Sequence, residues 1–286
     1  MNPLPHLYLH PPVPCCQLAR VGIQGWKTGL RLAALLLLTI GKVNAQTILT
    51  SDTTLGISDL HLENQSLVVR GVTLTVSGEH RFQSLILTNG ATLTHPTNTA
   101  TPPHLIFAGD FSVSADSRVD LTGRGEPEGE GAGAGPASSC CSAGGSHGGT
   151  GGPSEGGLFG HTHGSFAQPT ALGSGGGRAL SFGEAGAGAG ALRISALGDV
   201  RIDGQVRLDG TDGGRYAGGG AGGSLWIQAR RLLGHGTLSA QGGAGEERAG
   251  GGGGGRIALY FDSDDFTGDV RACGGVGGEA GKPGGA

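Results

Sequence analysis

Three histidines in a glycine-rich stretch are the first residues whose chemistry suggests binding. His161 and His163 are one residue apart, so on an extended strand their imidazoles would face the same side, and His147 lies upstream. Imidazole nitrogens are common ligands of Zn²⁺ and Cu²⁺. We treat the three as a candidate zinc site. The alternative is that they are exposed loop histidines, or that His147 fixes its own loop through a hydrogen bond.

Three aspartates near the C-terminal end form a second candidate metal site. Asp262, Asp264 and Asp265 make the motif D-S-D-D, and Ca²⁺ prefers several carboxylate oxygens in flexible loops. No EF-hand loop or G-G-x-G-x-D array accompanies them, so solvated turn aspartates are the alternative. Because neither set completes a known metal motif, we predict no resident cofactor.

Two aromatic residues are candidate carbohydrate contacts. Trp226 and Tyr260 occupy the first strands of two adjacent sequence repeats, and each alternates with apolar neighbours. Strand alternation therefore predicts that both rings lie on the outer face, where they could stack on sugars. The alternative is ordinary packing of the rings beneath a glycine loop.

Signals for catalysis are weak. Residues 144–148 fit the pattern G-x-S-x-G, but a nucleophile elbow needs a strand before it and a helix after it, and neither is predicted here. Glycine-dense sequence produces such matches by chance, and no G-x-x-x-x-G-K-[ST] phosphate loop occurs. We therefore predict that the chain is not an enzyme.

The composition indicates which elements must position these residues. Glycine accounts for 62 of the 286 residues, and 53 of these glycines follow residue 110. Glycine costs about 1 kcal/mol per helix position relative to alanine, which argues against a helical domain. The glycines follow no strict three-residue period and there are only 13 prolines, which excludes collagen. Short β-branched and leucine-rich runs instead indicate a β-protein with many turns.

The N-terminal residues 1–45 are predicted to be a secretory signal peptide. A basic region precedes the apolar run at 32–40, and the small-residue motif V-N-A places the cut between Ala45 and Gln46. The apolar run is too short to cross a bilayer as a helix, which needs about 20 residues, so we predict no transmembrane span. The sequence thus predicts a secreted or cell-surface protein.

The translation start and the signal cleavage decide what the mature chain contains. The proline-rich first residues make the signal unusually long, which favours a start at Val21 instead of Met1. Cleavage leaves 15 basic and 23 acidic residues, a net charge of −8 that argues against nucleic-acid binding. Cys140, Cys141 and Cys273 remain. An odd number with an adjacent pair does not predict a disulfide scaffold.

An internal repeat is the strongest signal for the fold. Three segments align, and their turn glycines Gly204, Gly236 and Gly268 recur at the constant interval i, i+32, i+64. Each unit is predicted to form two short strands joined at that glycine and closed by a glycine-rich loop. Units this small cannot bury a core alone, but stacked units can. The aligned segments are 191–210, 224–243 and 256–275, with an earlier copy at 104–123.

The part of the chain before residue 110 has a shorter rhythm. Two segments, which begin at Ser66 and Ser84, repeat at an offset of 18, with turns at Gly71 and at Asn89-Gly90. We interpret these turns as corners of a coil and predict an all-β, single-stranded, right-handed parallel β-helix with long glycine-rich loops. An antiparallel β-sandwich is the alternative, because it has similar strand spacings.

Four regions follow from these patterns. They are the signal peptide (1–45), a β-helical head with short rungs (46–110), a rung with a glycine-rich insertion (111–190), and repeats of about 32 residues (191–286), a period typical of solenoids. The next strand would begin near residue 289, so we expect the reading frame to be truncated at its C-terminus. Sequencing the DNA beyond Ala286 tests this, since an authentic stop codon there would refute it.

The glycine-rich body resembles the β-helical repeat segments of large exported bacterial surface proteins. The pieces that carry the resemblance are GSHGG (145–149), FG (159–160), GSGGG (173–177), GGSLWI (222–227) and GGGGRIALY (252–260). The resemblance covers residues 103–286 and, less specifically, the head. It implies an extended adhesive or scaffold module and supplies no catalytic residues.

The predicted function is therefore an exported, noncatalytic structural or adhesive surface module. Its expected partners are surface polysaccharide, matrix or other cell-envelope proteins. The alternative is a fragment of a β-helical polysaccharide-active enzyme, which would need a cleft with clustered carboxylates.

Overall fold

The computed structural model describes residues 45–278 and 283–286, so the predicted signal peptide lies outside the described residues except for Ala45. The described residues form strands and no helix. The strands are β1 (Gln46–Leu49), β2 (Thr53–Leu55), β3 (Ser66–Arg70), β4 (Thr73–Val76), β5 (Glu79–Phe82), β6 (Ser84–Thr88), β7 (Thr92–Thr94), β8 (His104–Phe107), β9 (Phe111–Val113), β10 (Arg118–Asp120), β11 (Ala191–Ala196), β12 (Asp199–Ile202), β13 (Gln205–Arg207), β14 (Ser224–Gly234), β15 (Thr237–Ser239), β16 (Arg256–Phe266) and β17 (Asp269–Arg271).

These strands form two sheets, and the chain alternates between them. The ten-stranded sheet has two limbs, β1-β3-β6-β9-β12 and β5-β8-β11, which are joined by the long strand β14. Strand β16 pairs with β14 along its length, and the other sheet has the order β17-β15-β13-β10-β7-β4-β2. All 15 pairings between these strands are parallel, which is the reverse of what an antiparallel sandwich requires.

The repeat unit differs from the sequence prediction in one respect. From β5 onward, each turn of the chain contributes to both limbs and then to the seven-stranded sheet, as β8, β9 and β10 do. A turn therefore has three strand segments and not two. The extra segment is β12 in the first aligned repeat, and in the later repeats it is the C-terminal half of β14 or β16. The alternation of apolar and polar residues did not predict this corner, because each strand segment beside it is only a few residues long.

The predicted rhythms are confirmed by the register. Ser224 pairs with Arg256, and Leu238 pairs with Val270, so paired positions in the last turns are i and i+32. In the head Ser66 pairs with Ser84, an offset of 18. The turns at Gly71 and Asn89-Gly90 lie between strands of different sheets and are therefore corners, not hairpins.

One hydrophobic core extends through the whole stack. Inward side chains from successive strands form columns, since registered residues point the same way. One column consists of five buried residues with at most 1% of their surface exposed: Leu67, Leu85, Phe111, Val200 and Leu232. Burying a leucine or phenylalanine contributes about 1.5–3 kcal/mol, so the columns stabilise the stack of turns.

The glycine-rich segments lie side by side and hydrogen bond to one another. We call them the glycine bundle, which comprises residues 142–152, 173–177, 186–190, 208–213, 218–223, 240–245 and 250–255. The N–H groups of residues 218–223 donate to three neighbouring segments in rotation, so that each neighbour receives a bond from every third residue. The donor–acceptor pairs, at 2.9–3.1 Å, are Gly218–Gly177, Ala221–Ser174, Gly219–Gly250, Gly222–Gly253, Gly220–Thr211 and Gly223–Leu208. Three residues per turn is the period of a polyproline-II-type helix.

Glycine is required in this bundle because the backbones approach so closely. A Cβ atom on Gly220 would lie 1.9 Å from the carbonyl oxygen of Ala187, and one on Gly218 would lie 1.9 Å from that of Ala143. The glycine-rich stretches are therefore packed structural elements, although their sequence reads as connecting loops.

Candidate functional site

His147 is buried at the centre of the insertion and is held by the glycine bundle. Its Nδ1 donates a hydrogen bond to the carbonyl oxygen of Gly222 at 2.8 Å, which leaves Nε2 unprotonated, 3.4 Å from Ser224 Oγ. Ser224 itself donates to the carbonyl oxygen of Ala171 at 2.7 Å. Burial, the largest influence, lowers the pKa of His147 to about 4. The side chain is therefore neutral and structural at neutral pH.

The other two histidines do not complete a zinc site with His147. The ring of His163 packs on that of His147 with centroids 4.8 Å apart. Its Nε2 donates to the carbonyl oxygen of Ser146 at 3.2 Å, so this nitrogen carries a proton. His161 is exposed and makes an edge contact with Phe159. The predicted three-histidine set is not assembled, because the three imidazoles do not bring their nitrogens within 4.8 Å of one another.

The aspartate cluster lies on a strand and not in a calcium-binding turn. Asp262 and Asp265 are exposed on β16, and Asp264 accepts a hydrogen bond from the N–H of Phe266 at 3.0 Å. Asp264 lies in register with the buried Leu232, whereas Asp265 is exposed, and the three carboxylates do not bring their oxygens within 4.8 Å of one another. The predicted calcium site is not formed by these three residues.

The two predicted carbohydrate contacts, Trp226 and Tyr260, differ in their exposure. Trp226 is only 5% exposed, and the guanidinium of Arg193 lies 3.8 Å from its ring centre. Its face is therefore not available to a sugar. Tyr260 lies on the outer face as predicted, half-buried, and its hydroxyl donates to the carbonyl oxygen of Ala167 at 2.6 Å. The insertion thus covers part of β14 and β16.

A groove on this outer face contains Tyr260. It has a volume of about 990 Å³ and crosses the limb formed by β5, β8, β11, β14 and β16. Its floor includes one cross-strand row of registered residues: Arg81, Ile106, Ser195, Gln228 and Tyr260. Asn64 and Asp262 add polar groups at its borders. The groove offers an amide, a guanidinium, a carboxylate and an aromatic ring to a ligand.

The serine in the G-x-S-x-G pattern is buried and hydrogen bonded on both sides. Ser146 is fully buried, and its Oγ donates to the carbonyl oxygen of Gly160 and accepts from the N–H of Gly151, both at 2.8 Å. Both contacts hold the insertion on itself and leave the hydroxyl no access to a substrate.

The comparison with known proteins gave a negative result. No protein-family model, curated protein or solved structure matches this chain. The interpretation of the groove and of the side-chain clusters therefore rests on their own geometry. Within the residues that the structure describes, no helix has the length and hydrophobicity needed to cross a membrane.

Sequence reasoning missed one cluster. Cys140 and Cys141 are joined by a disulfide bond, and Glu155 lies beside them. The adjacent cysteines are visible in the sequence, but nothing in it associates them with an acid further along the chain. The Arg193–Trp226 contact was also missed, although the aligned repeats place both residues third in their segments and so predict that they are neighbours in register.

Proposed function

We propose that this chain is an exported, noncatalytic scaffold or adhesive module of a cell surface. The observation that supports this most strongly is the glycine bundle, in which the packing contacts are made by backbone amides and carbonyls. Such a lattice presents few reactive side chains. It suits a stiff element that carries load or displays a surface better than it suits an enzyme.

The finer fold proposed is a single-stranded right-handed parallel β-helix. Its support is the regular passage of the chain through the two limbs and the seven-stranded sheet, with every strand parallel to its neighbours. Connections between parallel strands of one sheet are right-handed in about 98% of cases, which favours this hand over its mirror image.

Export is proposed from the predicted signal peptide. Strand β1 begins at Gln46, the residue after the predicted cut. The bonded pair Cys140 and Cys141 suits an oxidising compartment, where disulfides persist. These two features together support a secreted or cell-surface location.

The proposed ligand of the adhesive surface is a polysaccharide that binds in the outer groove. Its polar row and Tyr260 provide hydrogen bonds and an aromatic contact, and parallel strands repeat about every 4.7–4.9 Å along the stack, which suits an extended chain. The mature net charge of −8 disfavours nucleic acid. Cell-envelope proteins are the other expected partners.

Glycan binding and polysaccharide depolymerisation, measured on the same substrates with the exported protein, test this function. We expect binding without turnover, and at least about 10-fold weaker binding for Gln228→Ala in the groove. Arg118→Ala, on the outer face of β10, is the matched control and should bind normally. Turnover of any polysaccharide would overturn the noncatalytic assignment, and the absence of all glycan binding would overturn the adhesive one.

Export is tested separately. N-terminal sequencing of the processed protein should give Gln46 as its first residue, and sequencing of the precursor distinguishes a start at Val21 from one at Met1. Retention of the unprocessed chain in the cytoplasm would contradict the proposed location.

A further inference from the structure

The cluster of Cys140, Cys141 and Glu155 has no part in the proposed surface function. Both sulfurs and a carboxylate oxygen of Glu155 lie within 4.8 Å of one another. Among residues 45–278 and 283–286, this is the only group of three or more histidine, cysteine or acidic side chains that brings its ligand atoms so close.

Backbone contacts on both sides hold this cluster in place. The N–H of Glu155 donates to the carbonyl oxygen of Cys141 at 3.0 Å. The neighbouring Ser142 donates from its N–H to the carbonyl oxygen of Tyr216 at 3.0 Å, and from its Oγ to that of Arg178 at 2.9 Å. Three hydrogen bonds that involve no sulfur atom therefore hold the cluster in addition to the disulfide.

These side chains match the ligands of a tetrahedral metal site. Zinc binds thiolate sulfur at about 2.3 Å and carboxylate oxygen at about 2.0–2.2 Å, which places two sulfur ligands about 3.8 Å apart. The bonded sulfurs must move apart after reduction to reach that spacing, and a Glu155 oxygen already lies within 4.8 Å of both. Cys141 is buried, whereas Cys140 is half-buried and Glu155 is exposed, so an ion can enter from solvent and keep water as its fourth ligand.

We propose that Cys140, Cys141 and Glu155 form a redox-gated site for Zn²⁺ or a similar thiophilic divalent cation. In the oxidised form the two sulfurs bond to each other and are poor ligands. An external dithiol supplies two electrons and two protons: the sulfur–sulfur bond breaks, two thiols form, and the dithiol becomes a disulfide. Metal binding then releases both thiol protons and makes two sulfur–metal bonds.

Arg248 provides a counter-charge that competes with the metal. Its guanidinium forms an ion pair with the Glu155 carboxylate. A bound cation would replace part of that interaction. Removing the arginine should therefore leave metal affinity unchanged or raise it, whereas removing the carboxylate should lower it.

Cobalt binding to the mature protein tests the proposal, because thiolate ligation of Co²⁺ gives a sulfur-to-metal charge-transfer band. After reduction with a phosphine we expect one equivalent of Co²⁺ to produce this band and Zn²⁺ to displace it. The oxidised protein should give no band. Glu155→Gln should weaken affinity by about 10-fold or more, and Arg248→Gln, which breaks the same ion pair, should not.

Cys140→Ser removes one sulfur and should abolish the band, while Cys273 is retained in every variant. Should Cys140→Ser fail to fold, the pair of Glu155→Gln and Arg248→Gln still decides the question, because both substitutions lie at exposed side chains. A band of equal strength in the oxidised protein or in Cys140→Ser, or no band after reduction, would overturn the site.

Discussion

The imidazole of His147 donates a hydrogen bond to the carbonyl oxygen of Gly222, 75 residues further along the chain, at 2.8 Å. This bond joins the insertion to the central segment of the glycine bundle. The neutral imidazole, with its proton on Nδ1, already makes this bond. Protonation of the second nitrogen adds a charge that burial disfavours. His147 therefore links the stability of the bundle to pH.

Acidification should destabilise the protein through His147. The folded pKa is about 4 against 6.5 for an ordinary histidine, so the unfolded chain binds more protons between these values. The contribution is complete above pH 6.5 and falls as the pH drops towards 4, by about 3 kcal/mol in total. Urea unfolding at several pH values measures this. In His147→Asn that part of the pH dependence should disappear, and an unchanged slope would contradict the assignment.

Replacing a bundle glycine should be costly. In Gly220→Ala the new Cβ would meet the carbonyl oxygen of Ala187 at 1.9 Å, so the segments must separate and lose hydrogen bonds. We expect a loss of about 3 kcal/mol or more, the upper range for overpacking. Gly56→Ala is the control, since nothing lies within 4 Å of its Cβ position, and it should change stability by less than about 0.5 kcal/mol. Thermal unfolding compares the two variants.

Phe111→Ala should create a cavity in the middle of a core column. Phe111 is fully buried between registered residues Leu85 and Val200, and loss of a buried phenylalanine costs about 3–5 kcal/mol. Ser112→Ala changes the next residue, which points outward, and should be nearly neutral. Denaturant unfolding measures both free energies. Equal stability of the two variants would show that this column is not a packed core.

The ion pair of Asp199 with Arg231 should contribute little. A hydrogen bond from Arg231, the largest influence, lowers the pKa of Asp199 below its ordinary range, but the arginine is 43% exposed and solvent screens the pair. Asp199→Asn should cost less than about 1 kcal/mol at neutral pH. Its effect should vanish at acidic pH, where the wild-type carboxyl is protonated, as unfolding curves at the two pH values can determine. A loss of several kcal/mol would indicate a stronger coupling to Arg230 as well.

The sequence predicted the fold best at positions where stacked residues of successive turns meet the same steric requirement. Gly204, Gly236 and Gly268 recur at a constant interval because each lies over the one before. A Cβ on Gly236 would meet the carbonyl oxygen of Gly204 at 2.0 Å, and one on Gly268 would meet that of Gly236 at the same distance. Stacking imposes the same steric demand at each level, and the demand is visible as a period.

The candidate sites were predicted less well because their contacts are not periodic. His161 and His163 were grouped by local alternation, yet neither lies in a strand. His163 instead packs on His147, and His161 is exposed. Trp226 was expected on the exposed outer face, but the guanidinium of Arg193 lies over its ring, which is only 5% exposed. Glu155 lies beside the cysteine pair in the fold, and no known motif spacing in the sequence predicts that contact.

The sequence by itself determined a β-rich chain, its shorter and longer rhythms, its corner glycines and the inward faces of its strands. These properties depend on local backbone preference and on a side-chain period of two. Only the tertiary structure decided that each turn has three strand segments, that glycine-rich stretches form a hydrogen-bonded bundle, and that Cys140, Cys141 and Glu155 meet. The physical reason is that glycine has no side chain whose type would indicate which residues it contacts. Its contacts are made by backbone groups that every residue shares, so they become specific only when the segments are packed together.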